Sequence, residues 1–123
     1  MQLKVKISIA KKTNVYFMGP GPFLLLKRIK EHRSINKAAK SMNLSYVKAL
    51  SILNRLEKNL GEQMLIRKRG GNDRGGTDLT PYAERFIEHY RRLEENVVKF
   101  AEDEFQLFLE KFDQFEKTDE DGP

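Results

Sequence analysis

The residues best placed to do chemistry are polar and cationic side chains between positions 45 and 55. Helical spacing after a serine that can cap a helix puts most of them on its outward side. Their hydroxyl, phenol, ammonium and guanidinium groups can contact base edges in a DNA major groove and neutralise phosphates. An ordinary solvated helix face is the alternative. We predict base contacts from Ser45, Tyr46, Lys48 and Ser51, and phosphate contacts from Lys48, from Arg55 and, on the preceding helix, from Lys37.

A glycine-rich basic segment supplies the second group of candidates. Four glycines within seven residues allow a hairpin tip to turn tightly and approach another surface. Arginine at such a tip can contact phosphates or enter the minor groove. A nucleotide-phosphate loop is the alternative, but the spacing fits neither GxxxxGKS/T nor GxGxxG. The glycines are Gly70, Gly71, Gly75 and Gly76, and the arginines predicted to contact DNA are Arg67, Arg69 and Arg74.

Residues that could support catalysis or hold a metal are sparse. The chain has no cysteine, which excludes thiolate chemistry and disulfides, and its two histidines lie among charged neighbours at helical positions. The carboxylates cluster toward the C-terminal end, in runs typical of solvated surfaces. We therefore predict no catalytic residue, no metal site and no cofactor, and we do not expect an enzyme.

The charge of the chain is unevenly distributed. Residues 1–92 carry 20 Lys or Arg against 7 Asp or Glu, whereas residues 93–123 carry 3 against 11. A basic body favours a polyanionic partner, although a merely lysine-rich solvated surface would give the same balance. The sequence shows neither a secretory signal nor an apolar run long enough for a membrane span, so we expect a cytoplasmic protein without membrane contact.

Elements of regular structure must position these side chains. Alternating apolar residues at 3–9 and an apolar run at 15–18 predict an N-terminal hairpin over 3–18. A helix is predicted from after Pro22 to Arg33, and Ser34 and Ser45 are expected to cap the two helices of a helix-turn-helix over 34–60. Strands at 64–69 and 77–79 predict a wing over 64–79. The expected fold is α+β, mainly α: a winged helix-turn-helix domain over 1–80.

A long helix is predicted to follow that domain. Thr80 and Pro81 form a strong start signal, and the helical pattern continues for about 35 residues, so we assign the helix to 81–116 and a disordered acidic tail to 117–123. Its apolar stripe is too long for so small a domain to cover. A helix folded back over its own body is the alternative, and we favour homodimerisation. The predicted dimerisation residues are Phe86, Tyr90, Leu93, Val97, Phe100 and Phe108.

Two stretches resemble ModE-type, molybdate-responsive transcription regulators. The run from Ser34 to Lys40, then Leu44 to Ala49, is similar to the family's "GSISxAAxxxGxSYxxAW" pattern. The segment from Gly70 to Thr80 is similar to its "GGxxGGxxLT" wing, with one more residue between the glycine pairs. The chain departs from the pattern at Arg33 and Asn43, where the family has glycine, and at Leu50, where it has tryptophan.

A more distant likeness is to the N-terminal domain of LysR-type regulators. The shared skeleton comprises Leu44, Ser45, Leu56, Glu57, Leu60, Gly61, Leu65, Arg67, Leu79 and Thr80. Both resemblances imply binding to double-stranded DNA and pairing through the long helix. Full-length ModE-type regulators also carry a molybdate-sensing domain, for which this chain has no room, so molybdate binding is not expected. The sequence thus predicts a homodimeric, sequence-specific transcriptional regulator. The alternative is a winged-helix protein-interaction module without sequence-specific DNA binding.

Overall fold

Three short helices form the centre of the N-terminal part of the chain. They are α1 (Pro20–His32), α2 (Ile35–Ser41) and α3 (Tyr46–Leu60). The computed structural model describes residues 1–12, 14–67 and 76–120, with side chains up to residue 113. The short connections from α1 to α2 and from α2 to α3 make this a helix-turn-helix preceded by one supporting helix.

The ends of these helices confirm the predicted caps. The Ser34 hydroxyl accepts a hydrogen bond from the Lys37 amide at 3.1 Å, and the Ser45 hydroxyl accepts one from the Lys48 amide at 3.0 Å. Gly61 ends α3 with a φ of 69°, a left-handed conformation that glycine adopts without steric penalty. The boundaries of α2 and α3 therefore follow from local side-chain chemistry.

The start of α1 differs from the expectation. The helix begins at Pro20, two residues before Pro22, and its first bond runs from the Phe23 amide to the Gly19 carbonyl at 3.0 Å. The prolines do not interrupt this turn, because the first residues of a helix have no intrahelical acceptor for their amides.

Two antiparallel hairpins flank the helices. β1 (Ile9–Ala10) pairs with β2 (Tyr16–Met18), and β3 (Leu65–Arg67) pairs with β4 (Thr77–Leu79). In the second hairpin Leu65 lies opposite Leu79. The β3–β4 hairpin is the base of the predicted wing.

The predicted first strand is wrong in length. Only Ile9 of the 3–9 segment pairs in a sheet, because β2 ends at Met18 and offers no further backbone partner. The alternation persists in the burial of the side chains, since Val5, Ile7 and Ile9 are half-buried between exposed neighbours. The alternating pattern thus predicted the half-buried side chains from Val5 to Ile9, but it did not predict that Leu3 is exposed or how short the sheet is.

The hydrophobic core lies between α1, α2, α3 and the start of the last helix. Six large side chains in it are essentially inaccessible to solvent, and the burial of such apolar surface is a main driving force for folding. They are Leu25, Leu26, Ile29, Leu53, Leu56 and Met64.

The last helix, α4 (Pro81–Glu120), is 40 residues long. The Thr80 hydroxyl accepts the Ala83 amide at 3.1 Å and donates to the Gln63 carbonyl at 2.7 Å, so the predicted cap is confirmed. The helix continues past the predicted boundary at 116, and residues 117–120 are helical, not disordered. No glycine or proline interrupts the pattern before Gly122, which lies outside the described residues.

Two compact units divide the chain. One comprises Lys6–Arg91 and the other comprises Met1–Val5 with Arg92–Pro123. The first unit therefore extends beyond the predicted boundary at 80 and includes the first three turns of α4, because Ala83, Ile87 and Tyr90 are buried in its core. Among the described residues, no helix has both the length and the apolar content needed to cross a membrane.

Candidate nucleic-acid interface

The outward side of α3 carries most of the predicted base and phosphate contacts. Ala49, Leu53 and Leu56 recur at helical spacing and are fully buried, which fixes the rotation of the helix. Lys48, Ser51 and Arg55 follow on the opposite, exposed side, within about 60° of one another around the helix axis at 100° per residue. These side chains can meet one surface together.

Tyr46 lies apart from that group. It is exposed because it begins the helix, but it is more than about 100° around the axis from Lys48, Ser51 and Arg55. Val47, Asn54 and Lys58 share the exposed side with those three residues. Lys58 was not predicted, although its spacing from Ser51 and Arg55, seven and three residues, was the available signal.

Ser45 is engaged in capping α3. Its oxygen accepts the hydrogen bond from the Lys48 amide, while its hydroxyl proton stays available as a donor.

Lys37 lies exposed on α2, and Lys40 is exposed one turn later on the same helix. Lys37, for which a contact to a DNA phosphate is predicted, is therefore accessible.

The base of the wing presents one of the three predicted arginines. Arg67 is exposed at the end of β3 and lies opposite Thr77 in β4. Arg69 and Arg74 lie outside the described residues, as do Gly70, Gly71 and Gly75.

An ion pair joins α1 to the wing, and sequence reasoning missed it. Arg33 donates from Nε to the Asp78 Oδ1 at 3.0 Å and from a terminal nitrogen to Oδ2 at 3.2 Å. These hydrogen bonds and the adjacent negative charge raise the pKa of the Arg33 guanidinium above its ordinary value. Arg33 is therefore charged at every physiological pH. The stability that its raised pKa represents is lost as the pH rises through that pKa.

The predicted dimerisation residues divide into two groups. Tyr90 is wrong for that role: it is 2% exposed, its ring centroid lies 4.9 Å from that of Phe23, and its hydroxyl donates to the Ile7 carbonyl at 2.8 Å. Phe86 is half-buried against the core. The remaining four are exposed, and two further apolar residues of α4, not predicted, are exposed as well. The exposed set is Leu93, Val97, Phe100, Leu107, Phe108 and Phe112.

Other chemistry has little support in the described part of the chain. His32 and His89 are both exposed, and the described residues include no group of three or more His, Asp or Glu side chains that could hold a metal ion.

Comparison with known proteins identifies relatives of the N-terminal part. The family described as bacterial regulatory helix-turn-helix protein, lysR family, matches residues 23–84. The transcriptional regulator ModE of Haemophilus influenzae is 40% identical over 84 residues, which are 68% of this chain and 33% of that protein. The molybdenum transport protein ModE of Azotobacter vinelandii is 40% identical over 70 residues, 57% of this chain and 26% of that one. The chain thus spans about a third or less of these relatives.

Solved structures show the same fold. A chain of the CbnR_DBD–DNA complex superposes with a TM-score of 0.54 and 23% identity, covering 67% of this chain and 88% of its own length. A chain of the BenM_DBD/benA site 1 DNA complex gives a TM-score of 0.50 and 23% identity, covering 66% and 85%. The predicted resemblances and the mainly helical winged fold are confirmed.

Proposed function

Because this chain belongs to the lysR family of bacterial regulatory helix-turn-helix proteins, we propose that it binds double-stranded DNA sequence-specifically and regulates transcription as a homodimer. The observation that carries the proposal is the exposed side of α3, where Lys48, Ser51 and Arg55 lie together on a helix held from behind by the core. The same proposal places the protein in the cytoplasm, with the bacterial chromosome. Molybdate sensing is not part of it.

In this proposal α3 occupies the major groove. A groove about 12 Å wide admits one helix, and the N-terminal residues of a recognition helix lie closest to the base edges. Lys48 and Ser51 then read bases, and Ser45 can donate its hydroxyl proton. Tyr46, which lies apart, is better placed to contact the sugar-phosphate backbone at the edge of the groove.

Phosphate contacts come from the cations around α3. Arg55 and Lys58 lie further along its exposed side, Lys37 lies on α2, and Arg67 lies at the base of the wing. Each phosphate neutralised releases condensed counterions, so the affinity falls as the salt concentration rises. We extend the proposal to Arg69 and Arg74 on the basis of their charge alone.

Pairing of two copies is supported by the exposed apolar residues of α4. Phe100 is 67% exposed and Phe108 is 54% exposed, and both belong to a set in which most neighbours are three, four or seven residues apart. Apolar side chains in such a repeat are stabilised when a second helix covers them. A two-fold dimer would present two recognition helices to successive major grooves, about 34 Å or a multiple apart.

The test begins with selection of bound duplexes from a random-sequence library. Fluorescence anisotropy then compares the selected duplex with a scrambled one. Lys48→Ala is expected to weaken binding to the selected duplex by about 1 to 3 kcal/mol and to affect the scrambled duplex less. Arg67→Ala should weaken both duplexes equally and reduce the salt slope by about 0.9.

A control variant and two outcomes complete this test. Lys27→Ala removes an exposed cation from α1, outside the proposed interface, and should leave the preference for the selected duplex unchanged. If Lys48→Ala, like Arg67→Ala, weakened binding to both duplexes equally, the assignment of Lys48 to base contacts would be overturned. Failure of the library to yield any bound duplex at low salt would favour a winged-helix module that contacts only proteins.

A further inference from the structure

The residue that ends α1 contacts β4, the second strand of the wing, through both its backbone and its side chain. The Arg33 carbonyl accepts the Thr77 amide at 3.0 Å, and the Arg33 guanidinium makes two hydrogen bonds to the adjacent residue, Asp78. A Cβ atom at Gly76 would lie 3.4 Å from the same carbonyl, so the close approach suits glycine. Three consecutive residues, 76–78, thus lie against Arg33, the residue that caps the C-terminal end of α1.

This junction connects the wing to the helix-turn-helix. Ser34, the next residue after Arg33, caps α2. On the other side, Thr77 lies directly opposite Arg67, the exposed cation at the end of β3. The position of Arg67 is therefore linked to α2 through Thr77, Arg33 and Ser34, beside the direct link to α3 that the Met64 amide makes to the Glu57 carboxylate at 2.9 Å.

The backbone at Arg33 shows that this contact depends on a local conformation unusual for arginine. Its φ is 56° and its ψ is 34°, in the left-handed region that disfavours residues with a Cβ. This turn directs the carbonyl toward Thr77 while the side chain reaches Asp78. Glycine would adopt the turn with less strain but could not make the ion pair.

We propose that Arg33 and Asp78 are positioning residues for DNA binding, because their ion pair fixes the base of the wing relative to the recognition helix. The inference rests on the proposed function, since it concerns how two DNA-contacting elements act on one duplex. The pair contributes little to folding, because both partners are partly exposed, with side-chain exposures of 62% for Arg33 and 29% for Asp78. Its effect lies in the placement of Arg67 at the base of the wing.

The alternative explanation is that Arg33 contacts a phosphate directly. The two explanations predict opposite changes in the affinity for DNA when Asp78 is replaced by asparagine. Asp78→Asn removes a negative charge near the proposed interface. If Arg33 contacted phosphate directly, this change would free the guanidinium and leave the affinity for DNA equal or higher. If the pair positions the wing, the same change lowers the affinity although it makes the protein more positive.

The experiment uses the full chain and the duplex selected from the library. Arg33→Gly and Asp78→Asn are each expected to weaken binding about two- to fivefold, within the range of an exposed ion pair, and the double variant is expected to bind no more weakly than either. Each variant should also show a smaller salt slope, since wing contacts to phosphate are lost. Thermal unfolding should show Arg33→Gly to be no less stable than the parent, which separates positioning from folding.

A second ion pair of α1 supplies matched controls. Lys30 and Glu84 lie 3.6 Å apart, are both exposed, and connect α1 to α4. Lys30→Ala matches the charge change of Arg33→Gly, and Glu84→Gln matches that of Asp78→Asn. Glu84→Gln should leave the affinity equal or slightly higher.

The outcomes separate this inference from the proposed function. Unchanged or tighter binding by Asp78→Asn, in a parent protein that binds DNA, would overturn the positioning role alone. A salt slope that does not change in either variant would overturn it too. A parent protein that binds no duplex would instead remove the proposed function, and this inference with it.

Discussion

Two residues adopt left-handed backbone conformations where the ModE-type pattern has glycine. Arg33 has a φ of 56° and Asn43 a φ of 57°. Glycine in the family pattern is explained by these turns, because a Cβ atom is disfavoured in this region. The two replacements differ in what their side chains do. Asparagine tolerates the left-handed region better than most residues, whereas Arg33 gains the ion pair with Asp78.

The turn between α2 and α3 can be tested at Asn43. Asn43→Ala should lower the free energy of unfolding by about 1 kcal/mol, because alanine has a Cβ atom and no polar side chain suited to this conformation. Urea denaturation followed by circular dichroism measures the change. Asn43→Gly is the control and should be nearly neutral or stabilising. Equal destabilisation by both variants would show that the asparagine side chain, not the backbone, is what matters.

Residue-level predictions from sequence were most accurate where the interaction is local. The Ser34, Ser45 and Thr80 caps each join residues three apart, so the pattern of residue types contains the whole interaction. The Arg33–Asp78 pair joins residues 45 positions apart. Nothing in the spacing of the chain indicates that contact, because it depends on where the wing folds back.

At the scale of elements, α3 shows what a periodic pattern determines. The buried positions fix which side of the helix faces outward. The sequence therefore predicted correctly that Lys48, Ser51 and Arg55 are exposed on that side. Val47 also faces outward and is 76% exposed. An exposed valine beside cations on a helix proposed to enter the major groove is suited to contact the C5-methyl group of thymine.

That contact can be tested by a cycle between protein and DNA. Replacing each thymine of the selected duplex by deoxyuridine removes only the methyl group. At the contacted position, we expect deoxyuridine and Val47→Ala each to weaken binding by about 0.5 to 1 kcal/mol, and the combination to weaken it by no more than either alone. Anisotropy titrations measure all four combinations. The other thymines serve as controls, and strictly additive losses at every thymine would contradict the contact.

The long helix shows where periodicity is insufficient. Tyr90 and Phe100 belong to the same apolar pattern, yet Tyr90 is buried against Phe23 and Phe100 is exposed. The repeat identifies an apolar face of a helix but not what covers it. The first three turns of α4 are covered by residues that are distant in sequence. The point at which its apolar residues change from buried to exposed therefore could not be predicted from the sequence.

For the whole molecule, the exposed apolar residues of α4 and the charge distribution point to different partners. The basic residues lie mostly before residue 93 and favour a polyanion, whereas the exposed apolar set begins at Leu93 in the acidic part of the chain. Two copies of this acidic helix repel each other electrostatically when they pair. In the proposed homodimer, pairing is therefore driven by apolar burial, and it should strengthen as salt screens the like charges.

The dimer proposal is tested by a charged substitution in the exposed apolar set. Phe100→Lys places a cation where a partner helix would bury an aromatic ring, and should shift the protein from dimer to monomer in analytical ultracentrifugation. Gln106→Lys is the matched control. It adds the same charge on the same helix, at an exposed position about 120° around the axis from Phe100.

The oligomeric states of the two variants at low and high salt show whether apolar burial holds the dimer together. If apolar burial holds the dimer, Gln106→Lys remains dimeric and salt promotes pairing of the parent protein, while Phe100→Lys stays monomeric at both salt concentrations. Loss of pairing also lowers the apparent affinity for a two-site duplex far more than for a single half-site, because the second contact is no longer intramolecular. A parent protein that sediments as a monomer at high salt would contradict pairing through α4. Helix α3 would then have to bind its duplex singly.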